Sequence, residues 1–148
     1  MIQSRLTPSG ERIIEPMIAL ARCSKLQRII VAGSKSPELM FELHRRGYVR
    51  VVTTANCGLP AEQYDVALVD WRQRSIKALE TTLDWLVDFL SPAGVLVVWV
   101  DPQERAGNRT LRSALERHGL VVEAGTIRKH GSAVSAQRCE MNPIPKVA

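Results

Sequence analysis

The chain has 148 residues, of which 45% are hydrophobic and 24% are charged. This composition is that of a single folded domain with a substantial core, and the length is too short for two ordinary domains. The formal net charge is +5 and the basic residues are scattered, so composition alone does not establish a polyanionic partner. No apolar run approaches the roughly 20 residues that span a bilayer. We therefore predict a cytoplasmic protein without a membrane partner.

The residue types that usually hold metals or act as nucleophiles are isolated from one another. The three cysteines are far apart and in no paired metal spacing, so we expect all three to be reduced: Cys23, Cys57 and Cys139. The three histidines have no partner at ligand or triad spacing. The sequence therefore predicts no metal site and identifies no catalytic residue.

The first third of the chain predicts a helix, a strand, a second helix and a second strand. Apolar residues at helical spacing predict a helix over residues 9–24, in which Pro16 must lie in the first turn or cause a kink. Residues 28–33, RIIVAG, are β-branched and end in glycine, as in a strand that is buried on both faces. Ser36-Pro37-Glu38 is a strong helix start. Residues 49–54 predict the second strand.

The middle of the chain continues the alternation of strands and helices. The connection from Ala55 to Tyr64 is short for a parallel crossover, which usually takes a dozen or more residues and a helix. Residues 65–70, DVALVD, predict the third strand. An apolar stripe from Ile76 to Leu90 predicts the next helix. Ser91 to Gly94 then forms a turn into the most apolar strand, residues 95–100.

The last third of the chain predicts a helix and a hairpin. Asn108 is the predicted cap of the helix and Gly119 its end. Residues 120–128 and 132–138 predict two strands that meet at a turn at His130-Gly131. The tail from Met141 is predicted to be loose.

These elements predict a three-layer Rossmann-like α/β sandwich. Its mainly parallel sheet has about six strands, ends in an antiparallel hairpin and is covered by helices on both faces. We divide the chain into an N-terminal helical segment (1–25), an α/β domain (26–140) and a loose tail (141–148). Right-handed crossovers place the carboxyl ends of the strands at one edge, where such folds bind ligands. The residues expected at that edge are Gly33-Ser34-Lys35, Thr53-Thr54, Asp70-Trp71 and Asp101-Pro102.

Three segments resemble the Rossmann-like S-adenosylmethionine-dependent methyltransferases. Residues 64–70, YDVALVD, look like that family's fourth-strand segment, and residues 90–98, LSPAGVLVV, look like its turn into the fifth strand. Residues 111–122, LRSALERHGLVV, are similar to its following helix and sixth strand. The closing hairpin fits its antiparallel seventh strand. The resemblance covers roughly residues 26–139.

The resemblance implies S-adenosylmethionine as the cofactor and a small or macromolecular methyl acceptor. It implies that Gly33, Ser34 and Lys35 contact the amino-acid or phosphate end of the ligand. Thr53 and Thr54 would lie near the sugar, and Asp70 with Trp71 would border the open side.

The chain departs from the family's pattern at three points. Its first loop has one glycine, Gly33, where the family has three. Thr53 and Thr54 stand where the family has an acid for the ribose hydroxyls. The short segment after Thr54 indicates that a helix-plus-strand unit of the family is missing here. In the family, that unit normally forms one wall of the adenine pocket. Residues 51–64 align equally with the family's third strand and the loop beyond it.

Several of these residues also have a purely structural interpretation. Asp70 could cap the next segment or pair with Arg72 or Arg74. Trp71 could fill the space left by the missing unit rather than stack on a ligand. Lys35 beside Ser36 makes a small positive pocket, although a plain capped helix explains the same residues.

The sequence thus leaves several functions open. The first is an S-adenosylmethionine-dependent methyltransferase, active or inactive, and the second is a non-catalytic binding or dimerisation module with the same fold. The third is a receiver-like signalling domain with Asp70 as phosphoacceptor. A nicotinamide dehydrogenase is disfavoured because no Gly-x-Gly-x-x-Gly follows the first strand. An apolar face left by the missing unit predicts a homodimer, and no motif supports a nucleic-acid partner.

Overall fold

The structure is a computed structural model that describes residues 10–33, 36–53, 63–71, 75–100, 105–128 and 131–138. Several residues named above lie outside this described part, namely Ser34, Lys35, Thr54, Arg72, Arg74, Asp101 and Pro102. The same holds for the connection from Ala55 up to residue 62 and for the tail from Met141.

Strands and helices largely alternate along the described chain, and the last two strands follow each other, as the sequence predicted. The helices are α1 (Gly10–Ala21), α2 (Ser36–Arg45), α3 (Ile76–Leu86) and α4 (Arg105–Arg117). The strands are β1 (Ile29–Gly33), β2 (Val51–Thr53), β3 (Tyr64–Trp71), β4 (Leu90–Val100), β5 (Leu120–Arg128) and β6 (Gly131–Arg138). A short 3₁₀ turn, Val87–Phe89, joins α3 to β4.

The described strands form one six-stranded sheet in the order β2-β1-β3-β4-β6-β5. The pairs β2–β1, β1–β3 and β3–β4 are parallel, whereas β4–β6 and β6–β5 are antiparallel. This arrangement confirms the predicted mainly parallel sheet with an antiparallel finish. It also places the strand after the second helix directly beside β1.

Helices cover both faces of the sheet, so the core has two halves. One half contains the even-numbered residues of β1 and β4 and is closed by α3 and α4, with Ile30, Leu79, Leu83, Leu96 and Leu111 among its members. The other half contains the odd-numbered residues and is closed by α1 and α2, with Ile13, Met17, Leu39, Val31 and Val97 among its members. Residues of a strand alternate between faces, and here both faces are apolar because both are covered.

Helix α1 contributes to this core. The side chains of Ile13, Ile14 and Met17 are fully buried against the sheet. Pro16 lies inside the helix rather than in its first turn. Burial of three large apolar side chains, each worth roughly 1.5–3 kcal/mol, more than offsets the hydrogen bond that proline removes.

Ionic contacts tie α1 to α2. Arg46 donates from Nη1 to Oε2 of Glu15 at 2.5 Å and from Nε to Oε2 of Glu42 at 2.9 Å. Arg45 contacts the other oxygen of Glu42 at 3.3 Å. Hydrogen bonds from these two arginines hold the pKa of Glu42 below its ordinary value, against the opposing effect of burial. The cluster thus stabilises the helix pair through an ionised, nearly buried carboxylate.

The other helix pair is joined by two contacts between α3 and α4. Nε2 of His118 lies 2.8 Å from Oδ1 of Asp84, and its Nδ1 lies 2.8 Å from the carbonyl oxygen of Ala114. Arg117 forms an ion pair with Glu80. The position of His118 is therefore explained by helix packing.

The structure corrects two boundary predictions. Asn108 lies inside α4 and is not its cap, because the helix already begins at Arg105. Leu90 was predicted on the helical stripe but is the first residue of β4. Its side chain is fully buried in the same core half as Leu83 and Leu86, which explains why it continued the apolar pattern.

The predicted turn at Pro92-Ala93-Gly94 is an excursion inside β4. Tyr64 of β3 pairs with Leu90 of β4, and Val66 pairs with Val95. Strand β4 therefore has extra residues between these two pairs, and they bulge out of the ladder. Ala93 has a positive φ of 67°. A Cβ on Gly94 would lie 2.7 Å from Cγ of Leu90, so glycine is needed for the chain to return to the sheet.

Two other helix termini have residues that favour such ends. Ser75 caps α3 by accepting a hydrogen bond from the amide of Ala78 at 3.1 Å. Gly119 ends the last turn after α4 with a φ of +82°, as the sequence predicted.

We expect Glu42→Gln to lower the free energy of unfolding by about 1–2 kcal/mol at neutral pH, because a charge-assisted contact to two arginines becomes a neutral one. A lowered folded-state pKa means that the stabilisation is present above the ordinary value of 4.5 and disappears as pH falls through the folded value. Urea denaturation of both proteins at neutral and acidic pH measures the difference.

The exposed Glu116 of α4 supplies the matched control, Glu116→Gln. A Glu42→Gln penalty that is equally large at neutral and strongly acidic pH would show that the stabilisation does not come from the ionised carboxylate.

Candidate functional site at the carboxyl edge of the sheet

The carboxyl ends of the parallel strands meet at one edge, and the structure brings the described candidate residues to it. Gly33 is the last residue of β1 and lies opposite Asp70 of β3. Asp70 in turn lies opposite Trp99 of β4. On the other side of β1, Thr53 is the last residue of β2 and lies opposite Val31. Strand β1 therefore lies between the strands of Thr53 and Asp70, and Gly33 extends two residues beyond the pair formed by Thr53.

Gly33 makes the tightest backbone approach at this edge. Its φ is +111°, which L side chains rarely adopt, and a Cβ there would lie 2.1 Å from the carbonyl oxygen of Asp70. No side chain fits at that distance, so only glycine allows β1 to end against β3 in this way. The single glycine of the first loop thus has a structural reason that is independent of any ligand.

Asp70 is fully buried. Because Leu68 packs in the core half beneath α1 and α2, alternation along β3 directs the Asp70 side chain toward the same face. Its neighbour across the sheet, Trp99, is also fully buried there. Burying a carboxyl group raises the free energy of the folded state unless its oxygens accept hydrogen bonds. The Asp70 carboxyl group therefore requires hydrogen-bond donors around it.

Trp71 has its ring in the other core half and is 7% exposed. Its indole Nε1 donates a 2.9 Å hydrogen bond to the carbonyl oxygen of Ser75, which precedes α3. This bond joins the end of β3 to the start of the next helix. The ligand contacts predicted for Asp70 and Trp71 stay predictions.

The second strand contributes a hydroxyl at the edge. Thr53 is buried, with 6% of its surface exposed. Its predicted partners in a ligand site, Thr54, Ser34 and Lys35, lie outside the described residues. The structure therefore brings Gly33, Thr53, Asp70 and Trp71 to one edge on three adjacent strands.

Sequence reasoning missed two neighbours of this site, Trp99 and Gly131. A Cβ on Gly131 would lie 2.7 Å from Cζ2 of Trp99 and 2.5 Å from the carbonyl oxygen of Val100. The antiparallel strand β6 therefore begins directly over the indole beside Asp70. The only sequence signal was the glycine in the hairpin turn, whose partner could not be known without the register.

No other reactive cluster appears in the described part of the chain. Among those residues there is no group of three or more histidines, cysteines or acids that could hold a metal ion. Burial raises the pKa of the Cys23 thiol to about 11, so the thiol stays protonated and unreactive at neutral pH. None of the described helices is both long enough and apolar enough to cross a membrane.

Comparison with solved structures identifies the fold. One similar structure is that of a putative S-adenosyl-L-methionine-dependent methyltransferase from Methanococcus maripaludis. It superposes with a TM-score of 0.64 at 9% sequence identity, and the match covers 91% of this chain and 87% of that one. A geranyl diphosphate methyltransferase in complex with S-adenosylmethionine gives a TM-score of 0.60 at 9% identity, covering 87% and 85%. The [4+2]-cyclase SpnF gives 0.64 at 11% identity, covering 87% and 81%.

The chain therefore has the Rossmann-like fold of S-adenosylmethionine-dependent methyltransferases, as the sequence predicted. No protein-family model matches the sequence, and neither does any curated protein. At such low identities the likeness extends to the fold and not to the activity.

We expect Gly33→Ala to destabilise the protein strongly, because the new methyl group meets a backbone carbonyl and the φ is strained. The loss should exceed about 2 kcal/mol of unfolding free energy. Gly119→Ala is the matched control, since it has a positive φ but no atom within 4 Å of its Cβ. That control should lose only about 1 kcal/mol from backbone strain.

Thermal and denaturant unfolding of the two variants provide the comparison. Equal losses for both substitutions would mean that β1 does not end in close contact with β3.

Proposed function

We propose that the protein binds S-adenosylmethionine at the carboxyl edge of the sheet and transfers its methyl group to an acceptor. The observation that carries this proposal is the meeting of Gly33, Thr53 and Asp70 on adjacent parallel strands in a methyltransferase fold. Ligands of open α/β sheets bind outside the carboxyl ends of the strands. Several proteins of similar fold carry S-adenosylmethionine or its demethylated product in their structures.

The residues at the edge suit the carboxylate and the sugar hydroxyls of such a cofactor. Gly33 has a positive φ and leaves no side chain above the end of β1. Lys35 follows in sequence, ahead of the N-terminus of α2, where a carboxylate is favoured by the helix dipole. The Thr53 and Thr54 hydroxyls can donate to and accept from a sugar hydroxyl.

Methyl transfer asks little acid–base chemistry of a protein. The cofactor supplies an activated methyl group, and the chain contributes chiefly by holding the acceptor in line with it. In this proposal Asp70 and Trp71 hold neighbouring segments of the chain in position. Asp70 supports the turn at Gly33 through backbone contact, and the Trp71 bond to Ser75 fixes the start of α3.

A second candidate is a binding module that keeps the fold without the transfer reaction. Two observations favour it. Thr53 stands at a position where the family has an acid, and the close approach of Gly33 to β3 explains that glycine without a cofactor. The similarity to a [4+2]-cyclase adds to it, because a protein of this fold is named for a different reaction. Binding without turnover would distinguish this candidate from the first.

The receiver-like interpretation has less support. A phosphoacceptor must be reached by the phosphoryl donor, but Asp70 is fully buried and lies beside Trp99. Incubation with acetyl phosphate should therefore leave Asp70 unlabelled.

Calorimetry with S-adenosylmethionine and S-adenosylhomocysteine tests the proposed cofactor. We expect saturable binding that weakens by about tenfold in Lys35→Gln, because a charge-assisted contact to the ligand carboxylate is lost. Lys25→Gln, an exposed lysine near the opposite edge of the sheet, is the matched control and should bind normally. The absence of heat with either compound at millimolar concentration would remove the cofactor from the account.

We further propose that the protein forms a homodimer through the side of the sheet formed by α2 and β2. Phe41 of α2 is 65% exposed and Val49, just before β2, is 69% exposed. Exposed apolar side chains on one side are typical of an interaction surface. Phe41→Asp should give a monomer by light scattering, whereas Val121→Asp on β5 should not change the mass. A wild-type protein that is monomeric at high concentration would contradict the dimer.

A further inference from the structure

A pocket lies at the opposite, amino-terminal edge of the sheet, away from the proposed cofactor site. Of its lining residues, Val49 also belongs to the dimer surface proposed above. The pocket has a volume of about 310 Å³ and is lined by Arg28, Val49, Arg50, Val51, Val52 and Tyr64. This volume is at the lower end of the range for small-molecule sites. The lining combines two cations with apolar and aromatic surface.

The two arginines stand side by side because of the strand register. Ile29 pairs in parallel with Val51, so Arg28 and Arg50 hold equivalent positions just before β1 and β2. The amide of Ile29 donates to the carbonyl oxygen of Arg50 at 2.9 Å, which fixes this alignment. Neighbouring strands are about 4.8 Å apart, so the two side chains start close together.

Both arginines also belong to the same face of the sheet. Ile30 and Val52 pack in the core half beneath α3 and α4, and alternation places Arg28 and Arg50 on that side. Tyr64, the first residue of β3, packs in the same core half and has its ring 6.3 Å from that of Phe89. The pocket thus has charged groups beside an ordered aromatic wall.

Arg28 is held in place by neutral and backbone contacts. Its Nη1 donates to Oε1 of Gln63 at 2.7 Å. The carboxylate of Asp65 accepts from the backbone amide of Arg28 at 3.1 Å, rather than from the guanidinium. The Arg28 side chain is therefore ordered while its charge is not matched by an ion pair with a described residue.

Arg50 is exposed, and no described carboxylate lies within 4.0 Å of its guanidinium. By contrast, Arg45 and Arg46 at the end of α2 are both paired with Glu42. Two adjacent like charges are unfavourable unless an anion lies between them. Guanidinium groups suit phosphate and carboxylate oxygens because of their planar, forked donors.

We propose that this pocket binds a small organic anion, namely a phosphate monoester with an apolar or aromatic body. The phosphate lies between the guanidinium groups of Arg28 and Arg50. The body packs on Val52 and Tyr64. Apolar lining with a few converging polar groups is the usual composition of a small-molecule site.

This site is separate from the carboxyl edge. Strand β1 runs from Ile29 to Gly33, so about 13 Å of extended chain separates its ends at ~3.3 Å per residue. A ligand here would not touch the methyl group transferred at Gly33. The pocket is thus a second site, whose occupancy can be tested independently of the cofactor.

Amide chemical shifts recorded during titration with phenyl phosphate test the proposal. We expect shifts confined to the residues that line the pocket, Arg28 and Arg50 among them, with an affinity that decreases as salt is added. Phenol, which lacks the anion, and inorganic phosphate, which lacks the ring, should each bind more weakly. Arg50→Gln should weaken phenyl phosphate binding by about tenfold through loss of a charge-assisted contact.

Arg112→Gln is the matched control, because Arg112 is an exposed arginine on α4 and does not line the pocket. It should bind phenyl phosphate normally, and Arg50→Gln should keep the wild-type spectrum away from the pocket. Since the cofactor site lies elsewhere, Arg50→Gln should also leave S-adenosylhomocysteine binding unchanged.

Four results would overturn the proposal: no shifts at millimolar phenyl phosphate, equal binding of phenol, equal binding of inorganic phosphate, or an equal loss in Arg112→Gln. A single-stranded oligonucleotide that binds in an Arg50-dependent way while phenyl phosphate does not would assign the surface to nucleic acid instead.

Discussion

The end of β1 lies against β3 at Gly33 and Asp70, and this contact organises the rest of the sheet. A Cβ at Gly33 would lie 2.1 Å from the Asp70 carbonyl oxygen, so the two backbones meet without any intervening side chain. Strands β1 and β3 are parallel neighbours, with β2 aligned on one side of the pair and β4 on the other. The carboxyl ends of the strands share one edge as a result.

The same register that forms the carboxyl edge also forms the pocket at the other end. Aligning Ile29 with Val51 brings Arg28 and Arg50 together before their strands begin. The molecule thus has two chemically different edges. One combines the glycine at the end of β1, the Thr53 hydroxyl and a buried acid, and the other combines two cations with apolar surface. Proteins with this fold include both methyltransferases and a [4+2]-cyclase, so the fold alone does not specify an activity.

Much of this fold could be predicted from the sequence because its strands are buried on both faces. Runs such as residues 29–32 and 66–69 are apolar and rich in β-branched residues, and a short run of that kind between glycine or polar residues indicates a buried strand. Leu90 shows the limit of the method. It continues the helical spacing of α3, yet the chain has already entered β4, and only packing against β3 distinguishes the two.

The site was less predictable because it depends on register and on which face each side chain takes. Asp70 was expected at the edge and is there, but its burial beside Trp99 follows from the alternation along β3 and β4. Arg28 and Arg50 are 22 positions apart in the sequence, and nothing local marks them as neighbours. Pairing between strands, rather than composition, decides which residues form a site.

A crystal structure of the protein grown with S-adenosylhomocysteine tests the central claim most directly, since it locates the ligand without assuming an activity. The account predicts ligand density over the ends of β1 and β2, next to Gly33 and the Thr53 strand end. Density at any other surface, or none in crystals grown at saturating ligand, would contradict it.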